Sequence, residues 1–173
     1  MVVSSSTKYL GGHSDIVGGS IVIKENKEYA EKISFIQNAV GAVPSPFDCY
    51  LLTRSIKTLS VRMKQHNENA IAVSNYLSNH PKIEKVFFPG NDKRHKEIAE
   101  KQMDGFGGMM SFVIDSDING VKTFLKNLNL FTLAESLGGV ESLIEHPAIM
   151  THASIDTSIR EKLGISETLL RIS

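Results

Sequence analysis

The sequence opens with Ser4-Ser5-Ser6-Thr7-Lys8-Tyr9-Leu10-Gly11-Gly12-His13-Ser14-Asp15, in which several hydroxyl side chains adjoin one lysine and two glycines follow it. Hydroxyl groups and exposed backbone N–H groups can hold a phosphate. A lysine whose surroundings lower its pKa can form a Schiff base with an aldehyde. The residue types are compatible with a phosphate site beside a reactive Lys8. Taken alone, however, they favour the alternative, a flexible polar terminus with a solvated lysine, because short motifs are weak signals.

The residues after this opening predict a strand and then two helices. Ser20-Ile21-Val22-Ile23 is a β-branched run bounded by glycines, which is typical of a buried strand. From Glu28 to Val40 the apolar residues share one helical face, and Gly41 provides a stop. In Ser45-Pro46, the serine suits an N-cap and the proline suits the first helical position.

The second of these helices is predicted to be long. No glycine or proline interrupts the chain from about Phe47 to about Leu77, and apolar residues recur along one face. A helix of this length usually connects two bodies of structure. We therefore place a domain junction within it, at about residues 58 and 59.

After residue 81 the pattern alternates between strands and helices. Together these elements predict an α/β sandwich of roughly 110 residues, which is a normal size for a domain. The first 58 residues are too few to build a comparable core alone and resemble the end of a larger domain. The predicted strands are 86–88, 109–114, 131–134 and 169–172, and the predicted helices are 93–103, 118–128 and a short one ending at 164.

The composition excludes several classes of protein. The 173 residues carry 19 Lys+Arg and 19 Asp+Glu, so the net charge is +0, which argues against nucleic acid and anionic membrane as partners. No apolar run is long enough to span a bilayer. The single cysteine, Cys49, cannot form an internal disulfide and favours a reducing, cytoplasmic location.

Two further positions carry polar groups where apolar ones are expected. Glu135-Ser136 follows a short apolar strand and precedes Gly138-Gly139, and loops that leave a sheet often carry binding residues. Arg171 stands among Leu169, Leu170 and Ile172, and an arginine in such a strand can clamp a carboxylate through two N–H groups. The alternatives are a tight turn with a capped glutamate and an alternating strand with one exposed face.

No metal site is expected. His146 and His152 lie six residues apart, which is outside the usual zinc spacings, and no cysteine pair accompanies them. Cys49 has no histidine beside it and is interpreted as a small apolar filler.

Several blocks, in order, resemble the pyridoxal-phosphate-dependent enzymes of Cys/Met metabolism, and the likeness covers essentially the whole chain. The first block, residues 5–14, resembles the attachment signature of the cofactor. Within the family the chain most resembles the cystathionine γ-lyase branch. The other blocks are residues 37–50, 54–59, 61–63, 133–143, 149–154 and 169–173.

The resemblance implies a cofactor and the residues that hold it. Lys8 would bind pyridoxal 5'-phosphate covalently and then move protons, and Ser5 and Thr7 would bind the cofactor phosphate. The implied fold is the C-terminal part of a fold-type-I pyridoxal-phosphate-dependent transferase. Residues 1–58 would be a remnant of its large cofactor domain and residues 59–173 its small α/β domain, joined by the long helix.

The resemblance also implies a reaction and a substrate site. Ser136 and Arg171 would hold the substrate α-carboxylate, Thr151 would support the arginine, and Glu135 would tune substrate preference. The implied activity is cleavage of the Cγ–S bond of L-cystathionine, giving cysteine, 2-oxobutanoate and ammonia. The synthase and methionine-cleaving branches share these residues, so both stay open, as does a non-catalytic truncated relative.

The resemblance is to only part of the family's subunit, which is more than twice as long as this chain. The groups that tune the cofactor ring in the family precede the attachment signature and have no counterpart here. We therefore expect little or no lyase activity from this chain alone. The family also implies a homo-oligomer, a tetramer, that acts on a small amino-acid substrate.

Overall fold

The computed structural model describes residues 1–173, apart from the side chain of Arg94. The chain divides into two compact units, Met1–Ser60 and Val61–Ser173, and each is described by itself. Whether these units correspond to a large cofactor domain and a small domain stays a prediction.

The first unit begins with a two-stranded antiparallel ribbon. Strand β1 (Val2–Ser5) pairs with β2 (Gly19–Val22), so that Val2 faces Val22 and Ser5 faces Gly19. Between the strands, Ser6–Leu10 form an irregular turn that is kinked at Lys8. The prediction of a buried strand near 20–23 is wrong about burial, because Ile21 is 49% exposed and Val22 is 63% exposed.

Two helices complete the first unit. Helix α1 (Lys27–Val40) begins where the side chain of Asn26 accepts a hydrogen bond from the Tyr29 N–H, and it ends at Gly41 with a left-handed φ of 76°. Helix α2 (Pro46–Ile56) begins as predicted, with the Ser45 hydroxyl accepting from the Asp48 N–H at 3.1 Å. No residue of α1 is buried.

The predicted long helix is wrong, because the chain forms two helices there. Helix α2 ends at Ile56, and α3 (Leu59–Ser78) begins three residues later. At the break, the Thr58 N–H donates to the Ser55 carbonyl at 3.1 Å, and the Thr58 hydroxyl donates to the same oxygen at 3.0 Å. These local bonds tighten the last turn of α2 and replace the helical pattern without a glycine or a proline.

The second unit contains a five-stranded sheet in the order β3-β4-β7-β6-β5. All neighbouring pairs are antiparallel except β5 and β6, which are parallel. Strand β6 was not predicted, because three residues before His146-Pro147 are too short a run to show a periodicity. The strands are β3 (Ile83–Phe87), β4 (Met110–Ile114), β5 (Thr132–Leu133), β6 (Leu143–Glu145) and β7 (Leu169–Ile172).

Helices cover one face of this sheet. The second unit also holds α4 (Lys93–Gln102), α5 (Ile118–Lys126) and α6 (Thr157–Lys162). Ala70 of α3 and Val121 of α5 share a buried apolar cluster with Phe112, Leu170 and other sheet residues. The predicted α/β class is therefore confirmed, and the core of the unit lies between the sheet and helices α3 and α5.

Alternation along β6 and β7 separates the core from the other face of the sheet. Ile144 pairs with Ile172, and both belong to the buried cluster. Glu145 pairs with Arg171 one position along, so these two side chains point to the opposite face. On the other side of β7, Ser111 of β4 also pairs with Arg171. The central strand thus presents its one charged side chain away from the apolar core.

Candidate functional site

The turn that carries Lys8 is irregular at the lysine itself. The Gly11 N–H donates to the Ser6 carbonyl at 2.9 Å, and the Gly12 N–H donates to the Lys8 carbonyl at 2.7 Å. The backbone of Lys8 departs from helical values, with φ −95° and ψ −127°, and its side chain is half-buried.

Close packing around Ser6 fixes the turn. Ser6 is 3% exposed, and its N–H donates to the Gly18 carbonyl at 2.9 Å. A Cβ atom on Gly11 would lie 2.6 Å from the Ser6 carbonyl oxygen, and one on Gly18 would lie 2.7 Å from the Ser6 hydroxyl. Both glycines are therefore needed for this close approach, which holds Lys8 on a rigid backbone.

The two hydroxyls predicted to bind phosphate flank the buried serine. The Thr7 hydroxyl accepts from the Gly18 N–H at 2.9 Å and lies 3.3 Å from the Gly18 carbonyl, while Ser5 is exposed at the end of β1. A lysine amine that follows serine and threonine hydroxyls in the sequence is a donor set that fits a phosphorylated aldehyde: the amine suits the aldehyde carbon and hydroxyls suit phosphate oxygens. The residue types present therefore suit the cofactor, and the individual roles of Ser5, Thr7 and Lys8 stay predictions.

The second group of site residues centres on Arg171. Its Nη2 atom forms an ion pair with Glu145 Oε2 and also donates to the Glu135 carbonyl at 3.1 Å. The Glu145 side chain is only 1% exposed, whereas that of Arg171 is 24% exposed. Both contacts use Nη2, and a guanidinium has five N–H donors, so the donors on Nε and Nη1 lie outside these two contacts.

Thr151 contacts the carboxylate rather than the arginine. Its hydroxyl donates to Glu145 Oε1 and lies 2.8 Å from His152 Nδ1. The resemblance implied that Thr151 supports Arg171, and the structure connects the two residues through Glu145. Sequence reasoning missed Glu145, although the signal was the one used for Arg171: a charged residue beside apolar neighbours, Leu143 and Ile144.

The segment that carries Thr151 is a run of turns after β6, and it is tied down at both ends. The buried His146 ring donates through Nε2 to the Glu167 carbonyl at 2.8 Å. Arg160 of α6 donates to the Ala148 carbonyl at 2.7 Å. These contacts hold the backbone on which Thr151 stands.

The structure brings some predicted residues together. Thr151 and Arg171 both contact Glu145, and Glu135 contacts Arg171 through its backbone carbonyl while its side chain is exposed. Ser136 is half-buried and adjoins Glu135. Ser5, Thr7 and Lys8 lie in the first unit, so the predicted residues form one group in each unit.

A cavity of about 500 Å³ lies elsewhere in the second unit, between α3 and one end of the sheet. Its walls include Arg62, His66, Phe131 and Ile172. Burial lowers the pKa of His66, and the nearby positive charge of Arg62 lowers this pKa further. Among the described residues that line it, none was predicted to bind substrate or cofactor.

The described part of the chain has neither a metal-binding cluster nor a membrane-spanning helix. It contains no group of three or more His, Cys, Asp or Glu side chains that could hold a metal ion. Among the helices of that part, none is both long enough and apolar enough to cross a membrane.

An α/β sandwich with a carboxylate-paired arginine, and a lysine in a rigid hydroxyl-rich turn, together point to the pyridoxal-phosphate-dependent enzymes that act on amino acids. Comparison with known proteins agrees. The sequence model of the family "Cys/Met metabolism PLP-dependent enzyme" matches residues 1–173. The chain belongs to this family, whose cofactor is pyridoxal 5'-phosphate.

Relatives with several different names resemble the chain almost equally. It is 53% identical to a cystathionine gamma-lyase of Dictyostelium discoideum and 52% identical to a cystathionine beta-lyase of Coxiella burnetii, over 100% of this chain and 45% of each relative. A solved cystathionine gamma-lyase from Lactobacillus plantarum, complexed with L-serine, matches 99% of the chain with a TM-score of 0.91 and 44% identity. A cystathionine gamma synthase from Xanthomonas oryzae pv. oryzae matches 99% with a TM-score of 0.93 and 45% identity.

The chain spans about 45% of the length of these curated relatives. It also spans 45% of the solved lyase and 44% of the solved synthase. The match over residues 1–173 establishes the family and its cofactor class for this chain. The particular reaction and substrate are matters for proposal.

Proposed function

We propose that this chain carries the cofactor lysine and the substrate-carboxylate arginine of a pyridoxal-phosphate-dependent carbon–sulfur lyase. Its reaction would be cleavage of the Cγ–S bond of L-cystathionine with water, giving cysteine, 2-oxobutanoate and ammonia. Residues 1–58 would belong to the large domain and residues 59–173 to the small domain of a fold-type-I enzyme. A cytoplasmic homo-oligomer, a tetramer as in the family, is part of the same proposal.

The observation that carries this proposal is the geometry of Arg171. Its guanidinium is fixed at Nη2 by a buried carboxylate and a backbone carbonyl, while 24% of the side chain stays exposed. A guanidinium held in this way keeps the N–H donors on Nε and Nη1, which can bind a carboxylate. This supports binding of an amino-acid α-carboxylate by Arg171, assisted by the hydroxyl of Ser136.

In the first unit, Lys8 would hold the cofactor, and the hydroxyls of Ser5 and Thr7 would bind its phosphate. When bound, pyridoxal 5'-phosphate supplies an electron sink for negative charge at the substrate Cα. The Lys8 amine would then take the Cα proton and deliver a proton as the thiolate leaves, which is general acid–base catalysis by a single amine.

The relatives favour two neighbouring activities as alternatives. One is cleavage of the Cβ–S bond of cystathionine, and the other is a γ-synthase reaction that forms cystathionine. Glu135 is exposed beside Arg171, and we propose that it tunes substrate preference; because lyase and synthase share it, it does not separate these two activities. A methionine-cleaving activity and a non-catalytic relative are the remaining alternatives from the sequence.

A labelling experiment tests the cofactor site without requiring turnover. The chain is mixed with pyridoxal 5'-phosphate, borohydride makes the lysine–cofactor bond permanent, and mass spectrometry locates the label. We expect the label on Lys8, loss of labelling in Lys8→Ala, and normal labelling in the control Lys24→Ala, which removes an exposed lysine of the same unit. Equal labelling of many surface lysines would contradict the assignment of Lys8.

A hybrid enzyme tests the reaction. This chain would replace the matching segment of the Dictyostelium discoideum cystathionine gamma-lyase and, separately, of the Coxiella burnetii cystathionine beta-lyase. Release of 2-oxobutanoate from L-cystathionine by both hybrids would support the γ-lyase proposal. Release of pyruvate by the second hybrid would show that this segment does not determine which bond is cleaved.

A further inference from the structure

Glu145 is a carboxylate in an unusual position. Its side chain is 1% exposed, and it lies directly across from Arg171 in the antiparallel pairing of β6 and β7. A buried carboxylate is costly unless charged and hydrogen-bonded partners compensate for the lost water. Arg171 supplies the charge and Thr151 supplies a hydrogen bond, so the carboxylate and its two partners form one connected cluster.

The hydrogen bonds of this cluster have one consistent direction. An ionised carboxylate can only accept, so the Thr151 hydroxyl donates its single proton to Glu145 Oε1. The Thr151 oxygen then accepts from His152 Nδ1, 2.8 Å away, which requires that Nδ1 carries a proton. The chain runs from His152 through Thr151 to Glu145, and hydrogen bonds aligned in this way strengthen one another.

We propose that Glu145 and His152 are positioning residues for Arg171. Glu145 holds the guanidinium through Nη2, and His152 fixes Glu145 through Thr151, so that the exposed donors of Arg171 stay aimed at an incoming carboxylate. This inference rests on the proposed role of Arg171 in binding the substrate. Neither Glu145 nor His152 touches the substrate in this account.

The backbone beneath the cluster suits such a role. Arg160 donates to the carbonyl of Ala148 at 2.7 Å, and it also lies 3.4 Å from the His152 carbonyl. Its other terminal nitrogen donates to the Thr157 hydroxyl at 3.1 Å. The turn that presents Thr151 and His152 is therefore tied to helix α6, and the hydroxyl and the ring are presented from a fixed segment.

Two effects of Glu145 on carboxylate binding oppose each other. Its negative charge offsets that of Arg171 and repels a second carboxylate, whereas its contact orders a long side chain before binding. Ordering a side chain of this kind changes affinity by about 2- to 12-fold. We expect the ordering effect to be the larger, because the exposed side of Arg171 faces water, which screens the repulsion.

The test uses the complete chain, labelled with ¹⁵N, and records the NMR signals of the Arg171 guanidinium. Arg171→Lys identifies these signals by their loss. We expect distinct, slowly exchanging Nη signals in the native chain, and averaged signals in Glu145→Gln, which keeps the volume of the side chain but removes its charge. His152→Phe should also broaden the signals, whereas His152→Asn, which retains a donor near the position of Nδ1, should preserve them. Glu161→Gln removes an exposed carboxylate on α6 and serves as the control.

Titration of the cofactor-loaded chain with L-serine and with L-serinamide then measures carboxylate recognition. Glu145→Gln and His152→Phe should weaken the response to L-serine by about 2- to 12-fold and leave the response to L-serinamide unchanged.

Equal or tighter L-serine binding in Glu145→Gln, or ordered guanidinium signals in that variant, would overturn the proposal. If Glu145→Gln does not fold, the two His152 variants decide the question. If ordered Arg171 signals never respond to L-serine, the role of Arg171 in substrate binding fails, and the positioning proposal fails with it for lack of a ligand. If they respond but the variants do not alter them, only the positioning proposal fails.

Discussion

Replacing Arg171 with leucine should destabilise the second unit, because it leaves the Glu145 carboxylate buried without its counter-ion. Glu145 is 1% exposed, and its remaining contact is the hydroxyl of Thr151. Removing one partner of a fully buried ion pair costs about 3–5 kcal/mol. Since the Arg171 side chain is 24% exposed, water replaces part of the lost interaction. We therefore expect Arg171→Leu to reduce the free energy of unfolding by about 2–3 kcal/mol.

The double variant distinguishes the ion pair from general packing. Arg171→Leu combined with Glu145→Leu removes both charges and leaves two apolar side chains opposite each other on β6 and β7. Such replacements are often neutral or stabilising, so the double variant should lie within about 1 kcal/mol of the native chain. The matched control is Lys96→Leu, which breaks an exposed pair with Glu100 on α4 and should cost at most about 0.5 kcal/mol.

The assay has to report on the second unit alone, and the sequence contains no tryptophan that could serve as a fluorescent probe. Hydrogen exchange of the β4 and β7 amides, measured at increasing urea concentrations, gives the free energy of opening of the sheet. If Arg171→Leu costs less than about 0.5 kcal/mol, the ion pair does not compensate the burial of Glu145. If the double variant is destabilised by the sum of the two single effects, the residues are not energetically coupled.

Three further predictions concern burial and charge. The pKa of His66 in the folded chain lies below the unfolded value of about 6.5. The contribution of His66 to the free energy of unfolding is therefore complete above about pH 6.5 and falls as the pH drops through the folded pKa. His66→Gln should flatten the pH dependence of unfolding in that range. Phe112 is 3% exposed, and Phe112→Ala should lower the free energy of unfolding, measured in urea, by about 3–5 kcal/mol. Phe47 is 67% exposed, and Phe47→Ala should change this free energy by less than about 0.5 kcal/mol. Limited proteolysis should digest Met1–Ser60 first and leave a resistant fragment that begins near Val61, because the described apolar cluster lies in the second unit; early cleavage within β4 or β7 would contradict this.

Local signals in the sequence were enough for the elements that depend on local chemistry. The Ser45 cap, Pro46 and the Gly41 stop define helix ends through groups within a few residues of each other, and strand β7 was predicted with its observed bounds. Blocks of the sequence also identified the family. These features can be read in sequence because each depends on neighbours in the chain rather than on distant contacts.

The break at Lys57-Thr58 was missed for a local reason: bonds to the Ser55 carbonyl interrupt the helix there, and no glycine or proline marks the position. Tertiary structure decided the features that depend on partners distant in sequence. The burial of Ile21 was mispredicted because a β-branched run shows strand propensity but not whether a second layer covers the strand.

The same distinction applies to the site. The sequence alone singled out Lys8 and Arg171 by their chemical contrast with their neighbours. It did not reveal that Arg171 is held by Glu145, which lies 26 residues earlier and reaches it only through the β6–β7 register. Side-chain type is a property of the chain, whereas the pairing of two charges across a sheet depends on which strands become neighbours when the protein folds.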